Sequence, residues 1–469
     1  MSEASSKPGS QEAPAVLITG AGAGIGRAAA LALGRAGWRC VAVDADAAAL
    51  DSLQAAWPDG AARPLNLHAD LTDAAQIDRL AQRLGPLDAL INNAGLSGGG
   101  ADALSGGTDA RLLALNLAAP ARLVQACTPR LRPGARIVNV ASGAGLRAIP
   151  WRGLYSPSKA GLIAQTRALA RARPDWTVTA LSPGFVRTEL VQKLIEGGRL
   201  DPAKATAKIP LGRMAEPEDM AQALCFLASP GARALSGQLL VLDGGSSVYG
   251  GSEALPQAAQ EALATDLPLA LQCVDVRPPA WRHALDDWAS ARTGQGERPG
   301  YPAGVGGAAL DATLGSVLDA VLRSARRFRA SHEKQASLTL LLPSPSPDIA
   351  WDQAGDVAAA RMLVATLAAE WGALGLRINA LQAAPGTGPA GCPAPLGYQA
   401  AAVAASPGYF DALGFRLVQG RLFTPPDDLN HPHVVVMSVD TARRFFGDAD
   451  PVRKTLPLPS VRGGGTKGV

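Results

Sequence analysis

Short, mostly apolar runs alternate with longer amphipathic stretches through the first half of the chain. The runs are Ala15-Val16-Leu17-Ile18, Trp38 to Val43, Leu65 to Asp70, Leu87 to Ile91, Arg136 to Ala141, Trp176 to Leu181 and Ser236 to Leu242. Strands buried on both faces read this way, as continuous rather than alternating hydrophobic sequence. Between them, Arg27 to Leu33, Ala74 to Leu84, Ala110 to Cys127, Tyr155 to Ala170 and Pro217 to Ala228 keep helical spacing. Pro217, with Glu218 and Asp219 behind it, is a sound helix start. Strands alternating with helices predict an α/β fold with a parallel, doubly wound sheet.

The first strand runs into Thr19-Gly20-Ala21-Gly22-Ala23-Gly24-Ile25-Gly26 and then a helix. Glycines let a backbone turn tightly and approach a pyrophosphate with no Cβ in the way. The helix that follows points its free N–H groups and positive dipole end at that anion. A plain tight turn is the ordinary alternative. Asp44, at the end of the second strand, favours dinucleotide binding. Its carboxylate can accept both hydroxyls of an adenosine ribose and would repel a 2′-phosphate. NAD is therefore expected over NADP, unless Asp44 merely caps the next helix. In this layout Asp70, with Leu71 beside it, lies within reach of the adenine.

Thr19 to Gly26, Asp70, Asn92-Asn93-Ala94-Gly95 and Tyr155-Ser156-Pro157-Ser158-Lys159 occur in order and at spacings that resemble the short-chain dehydrogenases/reductases, over about residues 14–247. The group holding 3-oxoacyl-carrier-protein reductases is the most similar. The resemblance implies a Rossmann-like catalytic domain over 14–248 and an NAD(P)-dependent interconversion of a secondary alcohol and a ketone. It implies cofactor contacts from Thr19, Gly20, Gly24, Ile25 and Gly26 in the turn, and from Asp44, Asp70 and Leu71 on the adenosine side. Asn93, Ala94 and Gly95 would flank the cofactor, and Pro183, Gly184, Val186 and Thr188 would meet the nicotinamide end, with Tyr155 and Lys159. Asn116 falls where the family places an asparagine that orders a proton-relay water.

Residue chemistry points the same way. Tyr155 and Lys159 stand one helical turn apart, on one face. An ammonium beside a phenol favours the phenolate, so the phenol can exchange a proton with an alcohol oxygen. Ser142, just past a strand at the carboxyl edge of the sheet, can hold the substrate oxygen as charge develops. Singly, these are more often a solvated helix face, a turn serine and a cap asparagine. Together they give the catalytic candidates Asn116, Ser142, Tyr155 and Lys159. Glu189 to Pro210 is expected to form a lid and Leu146 to Leu154, with Ile149, Trp151 and Arg152, the opposite wall.

After a linker at Gly250-Gly251-Ser252, residues 253–390 look like a degenerate, incomplete α/β copy. A helix over Glu253 to Thr265, a strand over Leu269 to Val276 with Asp275 in the place of Asp70, and a helix over Ala309 to Arg329 lead on. A strand over Ser337 to Leu342, a helix over Ala354 to Trp371, a strand over Leu376 to Leu381 and a turn at Pro385-Gly386 complete it. The tyrosine position falls near Gln353 and the lysine position near Val357. Neither can do the chemistry, so no hydride transfer is expected there. Its two long helices match those relatives use to dimerise, which predicts an intrachain pseudo-dimer, or else a helical appendage on a homo-oligomer. The tail, 391–469, is expected to be a short α+β piece. Ser406 to Gly414, Gly420-Arg421-Leu422-Phe423, Val434 to Ser438 and Ala442 to Phe446 resemble part of the periplasmic core domain of macrolide-exporter-type ABC permeases, over about 400–454.

Composition narrows the partners. Lys+Arg number 44 against 40 Asp+Glu in 469 residues, with no dense basic cluster, so no nucleic-acid or anionic-membrane surface is expected. Five scattered cysteines show no metal-ligand spacing and suit reduced thiols in a cytoplasmic protein. Residues 1–13 read as a disordered leader, and no run is long enough for a membrane span. The expected partner is a small alcohol or carbonyl substrate, with no metal. The rival expectation is a nucleotide-sensing or scaffold protein with little turnover.

Overall fold

A computed structural model of the chain describes residues 12–97, 102–104, 109–198, 200–249, 269–274, 301–307, 316–334, 336–343, 349–383, 457–458 and 467–468. Seven parallel strands form the first sheet: β1 (Ala15–Thr19), β2 (Arg39–Asp44), β3 (Leu65–His68), β4 (Leu87–Asn92), β5 (Leu131–Val140), β6 (Thr177–Pro183) and β7 (Leu239–Leu242). Their order is β3-β2-β1-β4-β5-β6-β7, so the winding reverses between β1 and β4. Ligands bind at such a switch point, beyond the carboxyl ends of the strands. Helices α1 (Gly24–Arg35), α2 (Ala47–Ala55), α3 (Ala74–Gln82), α4 (Asp109–Leu113), α5 (Ala119–Cys127), α6 (Tyr155–Ala172), α7 (Glu189–Glu196), α8 (Pro202–Thr206) and α9 (Pro217–Leu227) connect them.

The continuous apolar runs are explained by burial on both faces. Val16, Ile18, Ala89 and Ile91 pack with Ala29, Leu33, Met220 and Leu224, which joins the sheet to α1 and α9. Leu17, Leu90 and Ile137 pack with Ile77, Leu80, Leu123 and Val124 on the α3 and α5 side. The helix expected over 110–127 is interrupted. Between α4 and α5 the chain widens into a π-helical turn, Ala114–Ala118, which holds Asn116. Such turns are rare and concentrate at functional sites.

A second parallel sheet, ordered β11-β10-β9-β8, is built from β8 (Leu269–Val274), β9 (Tyr301–Gly307), β10 (Ala336–Pro343) and β11 (Leu376–Ala383). Helix Ala354–Trp371 has the expected bounds, and helix Val317–Ser331 begins later than expected. One strand was not foreseen and one expectation is corrected. Tyr301–Gly307 is a strand although it holds a proline and three glycines, because it is flanked by β8 and β10. β8 ends the described sheet but pairs directly with β9, as β1 pairs with β4, and is not separated from it by two strands as β3 is from β4. Asp275, Glu253 to Thr265, the 250–252 linker and Pro385-Gly386 lie outside the described residues, as do residues 1–11. Of 391–469, only Pro457-Leu458 and Lys467-Gly468 are described, and they pair antiparallel.

Helix Ala354–Trp371 packs directly on α6. Gly161 and Gly355 make the approach possible. A Cβ on Gly355 would lie 2.9 Å from the Gly161 carbonyl oxygen, and one on Gly161 would lie 2.8 Å from that of Gly355. Gln165 donates to the Asp352 carbonyl (2.8 Å) and Gln125 to the Asp352 carboxylate (2.7 Å). One apolar cluster spans the seam, with Leu112 and Leu154 from the first half among Val317, Val321, Leu363 and Leu367 from the second. Gly355→Val is therefore expected to lower unfolding stability by about 1–3 kcal/mol through overpacking. Gly372→Ala, at a helical position with open space around it, should change thermal melts little. Equal melting of the two variants would contradict this seam.

Candidate active site

The glycine turn is built as the sequence requires. Gly20 and Gly24 take left-handed φ values of 65° and 51°, a region costly for other residues. A Cβ on Gly26 would come within 2.0 Å of the Gly20 carbonyl oxygen, so only glycine fits. Ala23 gives α1 no side-chain cap. Instead the Gly24 N–H donates to Glu189 Oε2 at 3.0 Å, and the Gly22 N–H to Asp44 Oδ2 at 2.8 Å. Carboxylates thus already sit on amides of this turn, as expected of a cradle suited to an anion. Ile25 is half-buried behind it.

Around this turn the ends of four strands converge. Thr19 Oγ1 accepts from the Asn93 and Ala94 N–H groups, both at 3.0 Å. The Asn93 side-chain amide donates to the carbonyls of Thr19 (2.9 Å) and Gly20 (3.2 Å), pinning β4 to the turn. Asp44 Oδ1 accepts from the Asp46 N–H (3.0 Å). Asp70 accepts from the Thr72 N–H and hydroxyl (2.9 and 2.8 Å), which hold its carboxyl below the usual range, and Leu71 is buried beside it. Pro183 ends β6. Gly184 follows with no room for a Cβ against Asp243. Val186 bridges Ala215, and Thr188 caps α7, its methyl against Gly24. The stretch expected to form a lid, Glu189 to Pro210, folds as α7 and α8, with Ala205 and Ile209 packed against Met214.

Asn116, Ser142, Tyr155 and Lys159 come together at the carboxyl end of β5. Ser142 follows that strand; its hydroxyl accepts from the Ala144 N–H (3.2 Å) and stands near enough to the Tyr155 phenol to favour its ionised form. Lys159 Nζ lies 5.9 Å from the Tyr155 ring centre and donates to the Val140 carbonyl (2.9 Å). Asn116 is fully buried. It accepts from the Leu96 N–H (2.7 Å) and donates to the Leu96 carbonyl (2.8 Å) and to Ser158 Oγ (3.1 Å). Gly95 lies between Asn116 and Lys159. A Cβ there would be 3.2 Å from Asn116 Oδ1 and 3.3 Å from Lys159 Nζ.

The electrostatics correct one expectation. Burial pushes the Tyr155 phenol upward, and what pulls it back is the Ser142 hydroxyl and the Arg152 charge, rather than Lys159. Lys159 is itself desolvated, its pKa pushed down from 10.5 to about 8. Its ammonium points at a strand carbonyl, not at the phenol oxygen.

Asn139 and Thr166 escaped the sequence reading, which took Asn92 only as part of the Asn92-Asn93-Ala94-Gly95 turn. Asn92 donates to Asn139 (2.8 Å), Asn139 to Thr166 (2.9 Å), and Thr166 to the Leu162 carbonyl (2.8 Å). This buried chain ties β4 and β5 to the helix that carries Tyr155. The available signal was polar side chains inside otherwise apolar segments, since buried polar groups need partners. The Trp151 wall residue has φ of 55°, the one non-glycine with positive φ among the described residues, a strain of about 1–3 kcal/mol. Cys40 and Cys127 are buried, with thiols pushed up to about 12, and carry no reactivity. Among the described residues there is no cluster of metal-ligating side chains, and no helix is long and apolar enough to cross a membrane.

A family model described as enoyl-(acyl carrier protein) reductase matches residues 20–247, and one described as MacB-like periplasmic core domain matches 312–462. The second match begins well before the 400–454 read from the sequence and takes in the helices and strands from Val317 to Ala383. An uncharacterized short-chain type dehydrogenase/reductase from Sinorhizobium fredii is 37% identical over 237 residues, 49% of this chain and 43% of that protein. The chain thus spans less than half of that relative. The 3-oxoacyl-[acyl-carrier-protein] reductase FabG of Thermotoga maritima is 35% identical over 249 residues, 50% of this chain and 98% of the enzyme. D-threitol dehydrogenase of Mycolicibacterium smegmatis is 35% identical over 244 residues, 50% of this chain and 92% of the enzyme. With a full-length relative matched and the sheet, turn and Tyr-Lys helix in place, the chain belongs to the short-chain dehydrogenase/reductase family.

Proposed function

We propose that residues 14–248 interconvert a secondary alcohol and a ketone with a nicotinamide dinucleotide, using Tyr155, Lys159, Ser142 and Asn116. The observation that carries this reading is the convergence of those four side chains at the end of β5, beside a glycine turn whose amides already hold carboxylates. The nicotinamide, when bound, supplies or takes the hydride. The chain's own residues do the rest. Tyr155 gives a proton to the carbonyl oxygen in reduction and takes it back in oxidation. Ser142, beside that phenol, holds the same oxygen. Lys159, which donates to the Val140 carbonyl, would turn to the nicotinamide ribose when the cofactor binds and bring its charge toward the phenol. Asn116, fixed by its bonds to Leu96 and Ser158, would order the water of a proton relay beside Lys159.

The glycine turn would cradle the pyrophosphate, with Glu189 swinging off the Gly24 N–H. Asp44, at the end of β2 and against the turn, supports NAD over NADP. Asp44→Ala is expected to weaken NAD about 10- to 100-fold, the worth of hydrogen bonds to a charged group, and to narrow the gap to NADP. Fluorescence titration with both reduced cofactors checks this. Unchanged preference would assign the specificity elsewhere.

Residues 253–390 act as a built-in partner without chemistry of their own. Gln353, at the start of helix Ala354–Trp371, and buried Val357 stand where a tyrosine and a lysine are needed, so the half contributes packing on α6. This supports a pseudo-dimer within one chain. Further assembly through exposed Phe226 and Val241 would make it a homo-oligomer. The cytoplasm suits the reduced, buried thiols. Assay of the full chain with each cofactor against a panel of alcohols and ketones tests the function. Cofactor binding without any turnover would favour a nucleotide sensor.

A further inference from the structure

We propose that Glu370, which lies in the non-catalytic half, is a positioning residue that sets the substrate wall of the catalytic half. This rests on the function proposed above, though its structural part can be read without turnover. Glu370 sits in the last turn of helix Ala354–Trp371 and is 6% exposed. Its Oε2 accepts from the Ala103 N–H (3.0 Å) and its Oε1 from the Trp151 N–H (2.9 Å). One carboxylate therefore holds two loops. The first leaves the carboxyl end of β4 after Asn93-Ala94-Gly95, and the second leaves that of β5 after Ser142.

These are the loops that face a substrate seated between Ser142 and Tyr155. Trp151 is the wall residue with left-handed φ. A bulky residue stays there only when its surroundings fix it. Ile149 N–H to Ser156 Oγ (3.1 Å) and Tyr155 N–H to the Arg152 carbonyl (3.1 Å) tether this loop within its own half. Glu370 ties both loops across the seam, and Arg326 adds a bond to the Leu104 carbonyl (3.4 Å) of the first. Leu154, buried in the shared apolar cluster, anchors the far end of the loop to the same half. The second half thereby reaches the chemistry without contributing a reacting atom.

Hydrogen exchange on the full chain tests this, using overlapping peptides over 102–104 and 146–154. Glu370→Ala should speed exchange at both sites by about tenfold or more, the loss of a charge-assisted acceptor, with β5 and α6 unchanged. Glu370→Gln keeps one carbonyl acceptor, should speed exchange at one loop only, and serves if the alanine variant does not fold. With a small β-keto ester and NADH, KM should rise several-fold more than kcat falls, and cofactor affinity should hold. Unchanged protection of 146–154 in the variants, or loosening spread evenly over α6 and β5, would overturn the proposal. Wild-type protein without turnover would sink the proposed function while leaving the exchange result legible.

Discussion

Tyr155→Phe is expected to lower kcat by about 10²–10⁴-fold, the usual worth of general acid–base catalysis, with cofactor affinity unchanged. The substitution removes one oxygen from a half-buried ring and leaves the helix start and the Ser158–Tyr155 backbone bond in place. Ser142 then lacks its phenol partner, but it keeps the Ala144 N–H as donor. The loss should therefore fall on the chemical step and not on folding. Because burial holds the phenol above its ordinary value, alcohol oxidation should quicken with rising pH as the phenolate forms. The variant should lose that dependence. A variant with wild-type turnover would assign the proton to another group.

Lys159→Met should separate function from stability. Turnover should fall by about 10²-fold or more, since the donor proposed for the nicotinamide ribose is gone and the cofactor loses its alignment on Tyr155. Stability should rise. A lysine held at about 8 instead of 10.5 is disfavoured in its charged form by folding, a cost of about 3 kcal/mol at pH 7. Below pH 8 that cost is fully present. Between pH 8 and 10.5 the unfolded chain binds more protons than the folded one, so stability rises with pH. Methionine fills similar volume but leaves the Val140 carbonyl without its donor, which returns about 1–2 kcal/mol. A net gain of about 1–2 kcal/mol at pH 7 is expected in denaturant titrations, shrinking as pH approaches 10. Destabilisation at every pH would show that the ammonium contributes more to the fold than its burial costs.

The sequence made the first half legible because each local signal agreed with its neighbours. Apolar runs marked the strands, glycines marked the turn, and Tyr155 and Lys159 marked one helical face. What stayed hidden depends on contacts between distant residues. The π turn at Ala114–Ala118 has no composition signature, since Asn116 leaves α-helical register through its bonds to Leu96 and Ser158. Lys159 was expected to act on the phenol by proximity along α6, yet its ammonium is drawn to the Val140 carbonyl across the sheet. In the second half, Tyr301–Gly307 forms a strand against its glycine content, because pairing on both edges outweighs propensity. Glu370 is one charge on an alanine-rich helix, and nothing local in the sequence ties it to Ala103 or Trp151.

The most direct test follows reduced-nicotinamide absorbance with the purified full chain and a panel of ketones and secondary alcohols. The account predicts cofactor-dependent turnover of at least one member, with NADH preferred to NADPH. Failure to bind either coenzyme would contradict it outright.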